Sequence, residues 1–115
     1  MKESHFIKKL SKEKIIYGFF TRKNGFSKKK FKSLNCSFSS GDNLSLVKKN
    51  INKVKKKLGI QNKQLKLLNQ IHSNKVTLID KKNLLKKIKS DGSITKEKNI
   101  SLGVLTADCC PIFIL

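Results

Sequence analysis

Thr106-Ala107-Asp108-Cys109-Cys110-Pro111 is the stretch on which the reading of this chain turns. It stands between two apolar runs, Leu102-Gly103-Val104-Leu105 and Ile112-Phe113-Ile114-Leu115. Short apolar runs bounded by turn residues read as buried strands. One buried strand is therefore expected to end near Leu105 and another to start at Ile112. A thiol in the connection, Cys109, would be fixed by rigid backbone on both sides, as a metal ligand or a nucleophile requires. Working outward, its nearest complement is Asn69-Gln70-Ile71-His72-Ser73, which closes another apolar segment. An imidazole and a thiolate brought together supply a zinc-type half-site. The same pair also fits a nucleophilic Cys109 with His72 as its base. The residues alone leave both readings open. Zinc needs three or four donors, and Cys110, Asp108 and His5 are candidates without diagnostic spacing.

The rest of the chain places these segments in a mixed α/β pattern. Lys14 to Phe20 is β-branched and aromatic and reads as a strand. It runs into Asn24-Gly25, a strong turn signal. Leu44, Val47, Ile51, Val54 and Leu58 recur at spacings of three and four, which predicts a helix with lysines on its opposite face. Asp42 or Asn43 can cap its start, and Gly59 suits a left-handed end. Leu65 to His72 and Val76 to Ile79 read as two short strands joined by a turn at Ser73-Asn74. Asp80 to Lys89 reads as a loop or short helix, Ser90-Asp91-Gly92 as a turn, and Ser93-Ile94-Thr95 as a short strand. The chain reaches Leu115 inside an apolar run, and residues 1–115 read as the N-terminal part of a single domain, incomplete at the C-terminus.

Composition narrows the function classes. The chain has 115 residues and a formal net charge of +20, which attracts polyanions at low salt. Yet Arg22 is the only arginine, and base readout and bidentate phosphate contacts favour arginine. The lysines are spread along the chain, so a solvated surface is expected and no specific nucleic acid. Three cysteines, Cys36, Cys109 and Cys110, are not a disulfide framework. Nothing approaches the roughly 20 apolar residues of a membrane helix. The start Met1-Lys2-Glu3-Ser4-His5 leads into no long apolar segment. The cytoplasm is the expected compartment, with no membrane partner. The oligomeric state is not legible.

Six blocks stand in a recognisable order. They are Gly18-Phe19-Phe20-Thr21-Arg22 with Asn24-Gly25-Phe26-Ser27, Ser33-Leu34-Asn35, Gly41-Asp42, Gln70-Ile71-His72-Ser73, Ser90-Asp91-Gly92-Ser93-Ile94-Thr95, and Thr106 to Pro111. In order and approximate spacing they resemble the YfiH-type purine nucleoside phosphorylase family, also called laccase-domain or polyphenol oxidase proteins. The resemblance runs from about Gly18 to the last residue. It implies a mixed α/β domain related to the catalytic domain of cytotoxic necrotizing factors. It implies phosphorolysis of adenosine, inosine, guanosine and methylthioadenosine, with adenosine deamination as a further activity. It also implies a zinc ion held by His72, by Cys109 and by a second histidine of a later block that this chain does not contain. Two blocks depart mildly from the family pattern: Asn24-Gly25 replaces Gly-Gly, and Asn69 to Ser73 replaces an Arg-Gln-Val-His-Gly block. Asn tolerates positive φ nearly as well as Gly.

Roles follow from that resemblance and from chemistry. Phosphorolysis must hold a phosphate, orient the ribose and stabilise the departing purine. Arg22, on a turn leaving a strand, suits an oxyanion. Asn35 and Gln70 can exchange hydrogen bonds with ribose or base. Zinc on His72 and Cys109 would polarise the base or activate a water. The rivals are a copper-dependent oxidase of phenols, which two histidines serve poorly, a basic polyanion-binding module, and an inactive fragment.

Overall fold

Val47, Ile51, Val54 and Leu58 line one side of α1 (Leu44–Leu58), the longest element of the chain. The computed structural model describes residues 5–10, by their backbone and the side chain of Ile7, and 15–114. Asn43 caps α1, its Oδ1 accepting from the Ser45 N–H at 2.9 Å, which satisfies one of the donors that a helix start leaves unpaired. Gly59 ends it at φ +70°, a conformation that a side chain disfavours. Val47 is fully buried, and Ile51, Val54 and Leu58 are half-buried. Leu44, in the first turn, is exposed, so the apolar face begins one turn later than its period indicates.

The chain divides into two compact units, Met1–Gln61 and Asn62–Leu115. The first holds α1 and an antiparallel pair, β1 (His5–Leu10) with β2 (Ile15–Phe20), in a register that sets Ile7 opposite Gly18. The strand expected over Lys14–Phe20 is present from Ile15; Lys14 lies outside the described residues. Between β2 and α1 the chain makes only a 3-10 turn at Lys29–Phe31. That loop is stitched by its backbone. The Arg22 carbonyl accepts from the N–H groups of Ser33 (2.9 Å) and Leu34 (2.7 Å) and from Ser33 Oγ (2.8 Å). Gly25 sits so close that an added Cβ would stand 2.1 Å from the Ser33 carbonyl oxygen. Asn24 takes φ +67°, as an Asn in place of Gly can.

The second unit is built on parallel pairs. β3 (Gln64–Leu67) lies beside β6 (Ile100–Gly103), and β4 (Val76–Leu78) beside β5 (Gly92–Ile94). A single parallel bridge joins Asn69 to Lys89. The two runs joined at Ser73-Asn74 therefore do not pair with each other. Each pairs with a strand later in the chain. Leu68, Ile79 and Ile100 form the buried core, packed by Leu84, Ile88 and Leu102. Residues 81–86 form turns rather than a helix. Buried Lys66 holds them, its Nζ donating to the carbonyls of Leu84 (2.8 Å) and Lys86 (2.5 Å). Burial lowers its pKa.

Two expectations about the decisive stretch are corrected. The strand ahead of it ends at Gly103, and of its residues only Ile100 is buried. No strand forms over residues 112–114, which are exposed, Ile114 at 91%; Leu115 lies outside the described residues. Apolar sequence supplies the side chains of a buried strand, but a ladder partner makes the strand. Among the described residues the sheets are the pairs β1–β2, β3–β6 and β4–β5, and 112–114 belong to none of them.

Candidate functional site

His72 stands just past the point where its chain leaves the β-ladder. Its backbone is left-handed, φ +56°, which is uncommon for a residue with a Cβ. Asp91, in the turn before β5, faces this loop with its carboxylate. Asp91 Oδ1 accepts from the N–H groups of Ile71 (3.1 Å) and His72 (2.9 Å). Its Oδ2 accepts from the Ser73 N–H (2.8 Å) and Ser73 Oγ (2.7 Å). The Ser73 hydroxyl leads these donors in pulling the Asp91 pKa down, to about 2. Among the described residues the His72 ring makes no hydrogen bond, and the side chain is exposed. From sequence, Asp91 reads as a turn residue within one of the six blocks. The Ser-Asp-Gly signal announces a turn and says nothing of what the carboxylate reaches.

Gln70 brings the His72 loop to the stretch that carries Cys109. Its Nε2 donates to the Leu105 carbonyl (2.7 Å) and its Oε1 accepts from the Leu105 N–H (2.9 Å). The side chain thus imitates one more rung of the β3–β6 ladder and places residues 70–72 beside the start of the Thr106–Pro111 segment. Both ends of the amide expected to meet ribose or base are used in this way. Cys109 is exposed on irregular chain, not set between two buried strands as expected.

In the first unit, Arg22 is exposed and Asn35 is half-buried. Asn35 Nδ2 donates to Ser40 Oγ (2.8 Å) and Asp42 Oδ2 (3.1 Å), and its Oδ1 accepts from the Ser37 N–H (3.1 Å). Asp42 also accepts from Ser27 Oγ (2.5 Å), the largest cause of its lowered pKa. Asn50 joins these loops. Fully buried on the apolar side of α1, it accepts from the Phe26 N–H (2.7 Å) and donates to Ser27 Oγ (2.9 Å) and the Asn35 carbonyl (2.8 Å). Its signal was present: position 50 lies between Val47 and Val54, where the helical period calls for an apolar residue. An open cavity of about 390 Å³ in this unit is lined by Lys28, Lys29 and Lys30 with Asp42 and the start of α1. None of the five residues named from sequence lines it.

The family of multi-copper polyphenol oxidoreductase laccases matches residues 16–115. The chain belongs to this family. A purine nucleoside phosphorylase of Corynebacterium glutamicum is 32% identical to it over 98 residues, 84% of this chain and 40% of that protein. Among solved structures, a protein of Neisseria meningitidis described under a family of unknown function superposes with a TM-score of 0.69. It is 32% identical, over 80% of this chain and 36% of that one. The protein YfiH of Bacillus licheniformis gives a TM-score of 0.75 at 25% identity, over 82% of this chain and 38% of that one. The mixed α/β architecture is thus the YfiH type. The chain spans about two fifths of the length of the curated relatives that it matches along most of its own length.

The donors present fit zinc in kind and fall short in number. His72 offers an imidazole nitrogen and Cys109 a soft sulfur. Among the described residues no three His, Cys, Asp or Glu side chains gather to hold a metal ion. Asp108 and Cys110 are described and do not complete such a group. The side chain of His5 lies outside the described residues. Among the described residues no helix is long and apolar enough to cross a membrane.

Proposed function

We propose that this chain is part of a zinc-dependent purine nucleoside phosphorylase. Its substrates would be phosphate and a purine nucleoside among adenosine, inosine, guanosine and methylthioadenosine, with adenosine deamination as a side activity. The observation that carries the reading is the joining of the His72 loop to the Cys109 segment through Gln70 and Leu105, in a chain whose relatives include proteins named purine nucleoside phosphorylase.

His72 and Cys109 are the donors this chain offers to zinc, with a further donor from outside the described residues. When bound, zinc supplies a Lewis acid for the purine or for a water. The remaining work falls to the protein. Arg22 is assigned to the phosphate, whose oxyanions a guanidinium meets bidentately. Gln70 and Asn35 are assigned to the ribose or base; Gln70 also holds the start of the Cys109 segment through Leu105, and Asn35 the loop of Ser37, Ser40 and Asp42. His72, with both ring nitrogens uncommitted among the described residues, is free to bind metal or to exchange a proton with the purine.

The family's copper-oxidase description offers the second reading, an oxidase of phenols. Purine release from each nucleoside, with and without phosphate, is measured beside oxygen uptake with a phenol in zinc-loaded and copper-loaded protein. The phosphorylase reading expects base release that needs phosphate and is lost in His72→Ala and Cys109→Ser. Oxygen uptake that needs copper, with no base release, would sink it.

A further inference from the structure

A residue with a Cβ enters the left-handed region only when its surroundings hold it there. His72 is held by three successive backbone N–H groups that turn toward one carboxylate. That carboxylate stands on rigid chain. The Asp91 N–H donates to the Lys75 carbonyl at 3.1 Å. Its neighbour Ser90 is fully buried, with its Oγ bonded to the carbonyls of Lys75 and Gly92. We propose that Asp91 is the positioning residue of the His72 site: by gathering the N–H groups of residues 71–73 it fixes the backbone of His72 and hence the place from which the imidazole acts. The proposal rests on the reading of His72 as a functional donor.

The arrangement differs from the usual support of a metal-binding histidine. There a carboxylate accepts from the ring nitrogen that the metal leaves free. Here the carboxylate acts through the backbone and leaves the ring uncommitted among the described residues. An aspartate in this place can set the imidazole's origin without selecting its tautomer, so either ring nitrogen stays available. Sites held by secondary structure are more precise than sites on free loops, and Asp91 transfers the rigidity of the β4–β5 pair to a loop that has no ladder of its own.

The test uses the full chain as wild type, Asp91→Asn, Asp91→Ala and Ser73→Ala. Backbone NMR reads the amide exchange of Ile71, His72 and Ser73 and the intraresidue HN–Hα contact that marks a left-handed His72. Wild type is expected to show slow exchange and a strong contact. Asp91→Ala should lose the contact and exchange about tenfold faster at all three amides, the scale of a net hydrogen-bond contribution. Asp91→Asn, isosteric and with one carbonyl acceptor left, should fall between, an order that a merely space-filling role would not produce. Unchanged signals for the β3–β6 pair and for Leu68, Ile79 and Ile100 show that the second unit of a variant is folded. If Asp91→Ala does not fold, Asp91→Asn carries the same comparison, and Ser73→Ala, which keeps all three backbone bonds, should retain the His72 geometry. Zinc affinity, read by competition with a chromophoric chelator, should weaken about 10–100-fold in Asp91→Ala, as for other supporting residues of metal sites. A folded Asp91→Ala or Asp91→Asn with wild-type exchange and His72 geometry overturns the proposal. If His72→Ala binds zinc as tightly as wild type, it is the metal reading that fails, and the exchange data decide the role of Asp91 separately.

Discussion

Asn50→Ala should unfold the first unit more easily than any change on its lysine surface. The Asn50 amide is 0% exposed and ends three hydrogen bonds, one accepted from Phe26 N–H and two donated, to Ser27 Oγ and the Asn35 carbonyl. A net hydrogen bond contributes about 1 kcal/mol, and a buried group left unpaired costs about 1–3 kcal/mol. Phe26 is itself 46% exposed, so water can reach part of what is freed. The low end of the range then applies, and the expected loss is about 2–4 kcal/mol. Urea unfolding followed by the helical circular dichroism of α1 reads it. With a slope of about 1–3 kcal/mol per molar urea, the midpoint should fall by about 0.7–4 M. Asn50→Asp separates hydrogen bonding from volume. It keeps the acceptor for Phe26 but loses both donors and brings a carboxylate near Asp42. It should cost at least as much at pH 7, and less in acid, where a protonated carboxyl donates again. A change of less than about 0.5 kcal/mol, the range of ordinary surface substitutions, would refute the assignment of Asn50 as the residue that ties the loops together.

Three further outcomes follow. Gly25→Ala places a Cβ 2.1 Å from the Ser33 carbonyl oxygen and 2.3 Å from the Leu34 Cα; both are backbone, so the loop must move, at about 3 kcal/mol, the upper part of the overpacking range, read by the same urea midpoint. Asp42 has a lowered pKa, chiefly through the Ser27 hydroxyl. Its stabilisation is therefore present above the ordinary aspartate value of about 3.9 and is lost as pH falls through that value to the depressed one. Carbon NMR should show Asp42 titrating below the ordinary range, and Asp42→Asn should flatten the loss of stability in acid. The third concerns alkylation near pH 8 with a chelator present. Cys109 and Cys110, both exposed, should react before Cys36, whose thiol burial pushes up to about 11. Peptide mass mapping that finds Cys36 labelled as fast as the others contradicts its burial.

The elements legible in the sequence are those specified locally. The period of α1, its Asn43 cap and its Gly59 end are all short-range, and all three are found. The residues Ile15 to Phe20 likewise declare a strand by composition. Pairing is long-range and leaves no local mark. Nothing near Val76 shows that its partner is Gly92, or near Gln64 that its partner is Ile100. The run at 112–114 shows the converse, apolar composition without a ladder. Of the candidate site, His72 and Cys109 stand out in the sequence because cysteine and histidine are rare here. Their supports do not. Asp91 reads from sequence as a turn residue, nothing in the reading of Gln70 points to Leu105, and Asn50 is not singled out. Each acts through hydrogen bonds to backbone 19 to 35 residues away in sequence.

The account stands most directly on whether phosphate enters the product. Phosphorus NMR of the zinc-loaded protein with inosine and inorganic phosphate should show a new sugar 1-phosphate resonance growing as hypoxanthine appears. No such resonance should appear without nucleoside or in His72→Ala. Hypoxanthine released at the same rate without phosphate, or no release at all while phenol is oxidised, would contradict it.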